Sequence, residues 1–264
     1  MKRKNFLQSA AVGSALIVAA FAALASGSKS GDSNAAERNK AAHWTYTGTE
    51  GPANWGRLSP AYELCGLGRK QSPIDITGQT PADLKPIKLD YKATPISVVN
   101  NGHTIQVNYA PGSTMKIGAT TYQLVQFHFH SPSEHKVGGR SYAGEAHFVH
   151  KSADGKLAVL GVLIEIGVEN EFLKPIWASM PPSKGANSYP SKTLDPNNFL
   201  PAGRAYNRYI GSLTTPPCSE GVSWYVLREP VSMSRAQVDE FRNTISANAR
   251  PVQAMNKRVL QKSR

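Results

Sequence analysis

Within Gln126–His130 the residues run Gln-Phe-His-Phe-His, and this alternation constrains the fold more than any other feature of the chain. In a strand, successive side chains point to opposite faces. Phe127 and Phe129 then share one face, while Gln126, His128 and His130 share the other. Glu145-Ala-His-Phe-Val149 repeats the pattern and places His147 with Glu145 and Val149. Further strand-like runs cover Ile96–Asn100, Thr104–Asn108, Thr121–His130, Gly144–His150, Leu157–Glu165 and Val222–Leu227. Gly, Pro, Asn and Ser clusters separate them, and Ala153-Asp-Gly155 reads as a hairpin turn. Helical patterns are few. Glu171–Met180 is short and ends at Pro181-Pro182. Ser234–Ser246 is stronger, with Ser234 as N-cap, Gln237 three residues on, and Val238, Phe241 and Ile245 at helical spacing. The expected class is mainly β (α+β): a large, mostly antiparallel sheet with short helices at its periphery.

The polar face carries chemistry. Two imidazoles one pleat apart, His128 and His130, can reach one metal ion, and His147 supplies a third. Three neutral imidazoles with one open position describe a catalytic Zn2+ site. The same alternation also fits a half-buried strand with ordinary core or surface histidines. A ligating histidine needs its second ring nitrogen held. Gln126 and Glu145, each two residues before a histidine and on its face, suit that task, although either also suits a solvated strand position.

The N-terminus reads as a secretory signal over residues 1–25. Met1-Lys2-Arg3-Lys4 is basic, Ala10–Ala25 is apolar, and Ala23-Leu24-Ala25 fits a cleavage site. The apolar stretch is short for a membrane span of about 20 residues; an uncleaved anchor is the alternative. Residues 26–41 read as a flexible segment, leaving 42–264 as a single catalytic domain. An exported chain with only Cys65 and Cys218 most simply forms one disulfide; two free buried thiols are the alternative. The chain has 30 Lys+Arg against 18 Asp+Glu, a formal +12, but the charges are scattered and no stacking motif adjoins a basic run. Nucleic acid is therefore not an expected partner, nor is stable membrane insertion after cleavage.

These residues resemble the alpha-class carbonic anhydrases, the bacterial exported type in particular. The motifs that carry the likeness include Gln71-Ser-Pro-Ile-Asp75, Asn100-Asn-Gly-His103, Gln126–His130, Ser133-Glu-His135, Glu145–His150, Leu157–Gly161 and Gly211-Ser-Leu-Thr-Thr-Pro-Pro217. They run in order from His43-Trp44-Thr-Tyr46 to Arg250-Pro-Val-Gln253, nearly the whole chain after the leader. The resemblance implies a twisted sheet of about ten strands and reversible hydration of carbon dioxide to bicarbonate and a proton by zinc-bound hydroxide. It makes His128, His130 and His147 the zinc ligands, with Gln126 and Glu145 behind them. It assigns Thr214 to orient the nucleophile, with Glu134 accepting the Thr214 proton, and Thr215 to contact bicarbonate. It assigns His103 as proton shuttle, with Tyr46 and Asn101 organising the water path. Val149, Val159, Leu213 and Trp224 form the expected apolar wall for carbon dioxide. His135 and His150 take structural hydrogen-bonding roles, and His43 has none. The Ser-Pro-Ser link between His130 and Glu134 is shorter than in many animal members. A homodimer is a further expectation. A non-catalytic binding module on the same fold and a zinc esterase are the competing functions, separated by metal analysis and hydration kinetics.

Overall fold

The period-two runs do form strands, and they assemble into one long ladder. The structure is a computed structural model that describes residues 42–264; the expected signal at 1–25 and flexible segment at 26–41 lie outside the described residues. Ten strands form its continuous path. In chain order they are β1 (Thr80–Ala82), β2 (Thr94–Asn100), β3 (Ile105–Asn108), β4 (Thr120–His130), β5 (Gly144–Ser152), β6 (Leu157–Ile166), β7 (Gly185–Leu194), β8 (Tyr206–Ser212), β9 (Glu220–Leu227) and β10 (Gln261–Ser263). Their spatial order is β7-β2-β3-β4-β5-β6-β9-β8-β10-β1. Ile87–Asp90, Thr114–Ile117 and Val231–Met233 join it off this path, giving 13 strands. A three-stranded sheet of Asp75–Ile76, Lys136–Val137 and Arg140–Ser141 stands apart.

Pairing is mostly antiparallel, as expected, but β6 runs parallel to β9 and β10 parallel to β1. Ala153-Asp-Gly155 is the β5–β6 hairpin: Ser152 N–H donates to Lys156 O at 2.9 Å, and Gly155 has φ +84°, where a side chain is strained. β1, β7, β8 and β10 lie outside the strand-like runs of the sequence. β7 is a polar, largely exposed edge strand carrying Pro190 and Lys192, residues that protect an edge from further pairing. Without one buried face it has no alternation to read.

Phe127, Phe129, Phe148, Leu160 and Val162 are essentially inaccessible and form the aromatic side of the sheet. Burying each such side chain contributes roughly 1.5–3 kcal/mol. Helix α1 (Leu173–Trp177) and helix α2 (Arg235–Thr244) cover them. Phe129 meets Trp177 edge-on at 4.9 Å, and Trp177 lies 5.7 Å from Phe241. α2 starts at a full capping box: Ser234 Oγ accepts from Gln237 N–H, and the Gln237 side chain accepts from Ser234 N–H. The opposite side of the sheet packs Val159, Leu163, Tyr209, Trp224 and Val226 and leaves room among them for the polar residues of the site. A third cluster holds Trp55, Tyr62 and the Cys65–Cys218 disulfide, which spans 153 residues of sequence. Among the described residues no helix is long and apolar enough to cross a membrane.

Candidate active site

Strand register brings the three histidines together. His147 on β5 sits directly opposite His128 on β4, and Glu145 sits opposite His130. The ring centroids lie 5.1 Å (His128–His130), 5.3 Å (His128–His147) and 4.5 Å (His130–His147) apart. One nitrogen of each ring is already used. His128 Nδ1 donates to Gln126 Oε1 at 2.9 Å, His130 Nδ1 to Asn248 O at 2.8 Å, and His147 Nε2 to Glu145 Oε1 at 3.0 Å. An acceptor on one nitrogen leaves the lone pair on the other. His128 Nε2, His130 Nε2 and His147 Nδ1 are therefore the available donors, and ligand atoms of the three residues lie within 4.8 Å of one another. His130 Nε2 is buried and has no hydrogen-bond partner. Burial, then the neighbouring His130 and His147, pushes His128 well below the ordinary histidine range. Burial lowers His130 too, against the opposing pull of Glu134. Two neutral imidazoles follow, the form a metal requires.

Gln126 and Glu145 each bond a clustered histidine, while the partner of His130, a backbone carbonyl, carries no side-chain signal in the sequence. Glu145 is inaccessible and fully engaged. Oε1 also accepts from His135 Nδ1 at 2.7 Å, and Oε2 accepts from His135 N–H at 2.8 Å. Burial alone raises its pKa, but His135 and His147 outweigh that and hold it well below the usual carboxylate range. His135 Nε2 then accepts from Tyr209 OH at 2.7 Å, and Tyr209 OH accepts from Ser72 Oγ at 2.8 Å. This chain gives His135 the structural role expected of it. Gly161 lies opposite His147, and a Cβ there would stand 3.1 Å from Glu145 Oε1. Glycine leaves that carboxylate its space. His150, on the aromatic side, bonds Tyr91 OH through Nε2 at 2.7 Å.

Glu134 is also buried. Its Oε1 accepts from Arg250 N–H at 2.9 Å. Its Oε2 stands 3.5 Å from His130 Nε2 and 3.8 Å from His147 Nδ1, with no hydrogen-bond donor of its own. Thr214 is buried in the loop after β8, but no hydrogen bond joins it to Glu134 among the described residues. Arg250 is 2% exposed. Its guanidinium donates to Gln71 Oε1, Ser72 O and Cys65 O at 2.9, 2.7 and 2.9 Å. Burial lowers its pKa to about 10. These partners lie 178 to 185 residues away in sequence, so no local motif announces the role of Arg250.

Val149 pairs with Val159, and Val159 with Trp224, so the three form a row across β5, β6 and β9. Trp224 lies 4.8 Å from the His147 ring, its Nε1 donates to Ser212 O at 3.0 Å, and Leu213 packs against the same cluster. Thr215 O accepts from Cys218 N–H at 2.9 Å, so the disulfide anchors the threonine loop.

The His103 ring stacks on Trp44 with centroids 3.7 Å apart and planes at 11°. Tyr46 meets Trp44 edge-on at 5.4 Å. Asn101 Oδ1 accepts from His103 N–H and Thr104 N–H, both at 2.9 Å, and so builds the turn that carries His103. Asn248 Nδ2 donates to His103 O at 3.0 Å and Phe129 O at 2.9 Å, while its Oδ1 accepts from Ser131 N–H at 2.8 Å. One buried amide therefore braces both His103 and the neighbourhood of His130. A cavity of about 360 Å³, lined by Trp44, Tyr46, His103, Lys184 and Asn248 among others, adjoins His103 and not the three clustered histidines. Burial, then His43 and Lys184, lowers the His103 pKa to about 4. His43 itself is exposed and bonds Glu50.

Comparison with known proteins agrees with this geometry. The family model for eukaryotic-type carbonic anhydrase matches residues 50–264. A carbonic anhydrase of Neisseria gonorrhoeae is 44% identical over 229 residues, covering 86% of this chain and 90% of that protein. One from a Nostoc species is 43% identical over 229 residues, covering 84% and 87%. The solved alpha-carbonic anhydrase of Thermovibrio ammonificans, in complex with the inhibitor sulfanilamide, superposes with a TM-score of 0.81 at 46% identity, covering 84% of this chain and all of that one. With the fold, the motifs in order and the three-histidine cluster all in agreement, the chain belongs to the eukaryotic-type, or alpha, family of carbonic anhydrases, enzymes that hydrate carbon dioxide.

Proposed function

We propose that this enzyme interconverts carbon dioxide and bicarbonate with Zn2+ held by His128, His130 and His147, and exchanges the released proton through His103. The observation that carries the reading is the convergence of three imidazoles whose other nitrogens are each committed to an acceptor. Three nitrogen donors in a buried, well-braced pocket suit zinc. Zinc in such a site supplies a water acidified to a pKa near 7, and hence a nucleophile at neutral pH.

The remaining tasks fall to the chain. Gln126, Asn248 and Glu145 keep each imidazole in one tautomer and one orientation. Glu134 has one oxygen committed to Arg250 N–H and one buried oxygen open, which suits it to accept the Thr214 hydroxyl proton. Thr214 then presents its own oxygen as an acceptor and orients the attacking group. Val149, Val159, Leu213 and Trp224 give carbon dioxide, which has no net charge or dipole, an apolar wall beside the histidines. Thr215, the next residue, is the expected contact for bicarbonate. His103, with Tyr46 and Asn101 on the path, passes the proton to buffer. The basic start and apolar stretch of the sequence support export, and the Cys65–Cys218 bond suits an oxidising compartment.

Single changes of His128, His130 and His147 to Ala, with zinc measured by mass spectrometry and hydration by stopped flow, test this reading. Each is expected to lose most zinc and nearly all turnover. Stoichiometric zinc with normal turnover in any one of them would sink the ligand assignment.

A further inference from the structure

A second cleft, of about 340 Å³, opens between residues 140–143, just ahead of β5, the end of β6 and α2, and shares no lining residue with the site above. Arg140, Arg235 and Arg242 line it, with Tyr142, Ile166 and a single acid, Glu165. Each arginine is differently placed. Arg140 lies over the Tyr142 ring, 4.8 Å from its centroid, and reaches Glu165 only at 3.9 Å. Arg242 donates from Nε to Ser131 Oγ at 2.8 Å, which fixes its plane and leaves its two terminal amino groups. Arg235 occupies the first position of α2, where the helix dipole disfavours a cation. It makes no ion pair with Asp239, one turn on, or with any other acid among the described residues. Three guanidiniums against one carboxylate leave a net positive cleft with many unspent donors.

Planar guanidinium forks recognise tetrahedral oxyanions bidentately, and two or more of them favour a dianion over a halide or bicarbonate. The cleft has volume for a phosphate group and a small substituent. Arg242 also has a route inward. Ser131, its partner, follows His130 in sequence, and Ser131 N–H donates to Asn248 Oδ1 while Asn248 O accepts from His130 Nδ1. An anion that drew on Arg242 would act on a residue bonded to the brace of a clustered histidine.

We propose that this cleft binds a phosphate-class dianion, inorganic phosphate or a small phosphomonoester, and that Arg242 links its occupancy to the setting of His130 through Ser131 and Asn248. The proposal stands apart from the hydration chemistry, because its readout is binding. The full, zinc-loaded protein is titrated with inorganic phosphate at constant ionic strength and followed by amide NMR, with sodium chloride as control and methyl phosphate as the ester arm. Shifts are expected at Arg140, Arg235 and Arg242 and onward at Ser131 and Asn248. Arg235→Ala and Arg140→Ala should each weaken binding by about tenfold, with kcat/KM for hydration kept. Equal shifts with chloride, shifts centred on the three clustered histidines, or unchanged affinity in both variants would overturn the site. Shifts that stop at the arginines would overturn the link to His130.

Discussion

Trp44→Ala tests the physical setting of the proton shuttle. In the stacked conformation the His103 pKa is about 4, against an ordinary value of 6.5. A proton donor near pKa 7 therefore faces transfer to His103 that is uphill by about a thousandfold. Burial is the largest cause of the depression, ahead of His43 and Lys184, and Trp44 supplies cover at 3.7 Å between ring centroids. Removing the indole should return His103 toward 6.5, a gain in proton affinity of at most about 300-fold. Solvent reaches part of this ring, so the measured gain should fall below that ceiling. Histidine-labelled protein, with His103→Ala as the assignment control, gives the titration directly by NMR. Turnover in weak buffer should rise in Trp44→Ala, while kcat/KM for carbon dioxide holds, since the change leaves the three clustered histidines alone. Lys184→Ala should move His103 in the same direction by less. If His103 titrates near 6.5 in the parent, or stays near 4 without Trp44, the argument from burial is wrong.

Three further outcomes can be checked. Asn248→Ala unpairs Ser131 N–H and removes the donor to His103 O, so stability measured by urea unfolding should fall by about 1–3 kcal/mol and weak-buffer turnover should fall more than kcat/KM; equal losses in both would remove the claim that it braces His103. Val159→Tyr should fold, keep zinc and lose hydration by orders of magnitude, whereas Val159→Ala should lose little, and a zinc-loaded tyrosine variant with near-normal hydration would place the substrate elsewhere. His150 is buried with a pKa lowered to about 3 by burial, against 6.5 in the open chain, so the unfolded state binds the proton first as pH falls. Stability is then unaffected above about pH 7 and declines through the window down to pH 3, by about 2 kcal/mol at pH 5; His150→Leu, though weaker at pH 8 for want of the Tyr91 bond, should lose that part of the slope, and an unchanged slope would count against it.

The sequence alone determined which side chains share a face. Alternation is a property of the single strand, so Gln126, His128 and His130 on one side and Phe127 and Phe129 on the other could be read without knowing any partner strand. The Ala153-Asp-Gly155 turn and the Ser234 cap of α2 were legible for the same reason: each is complete within a few residues. Register was not, and register sets His147 against His128 and Val149, Val159 and Trp224 in one row. Only the tertiary structure supplied the bond from His130 to Asn248 O, 118 residues away, the bond from Arg250 N–H to Glu134, and the stacking of His103 on Trp44. The first two use backbone atoms, which every residue carries, so no side-chain pattern announces them. The third turns on burial of one ring by another, and it moves His103 from the ordinary histidine value of 6.5 down to about 4. Local chemistry is written in residue types and spacing; solvent exclusion and long-range hydrogen bonding exist only once the chain has closed on itself.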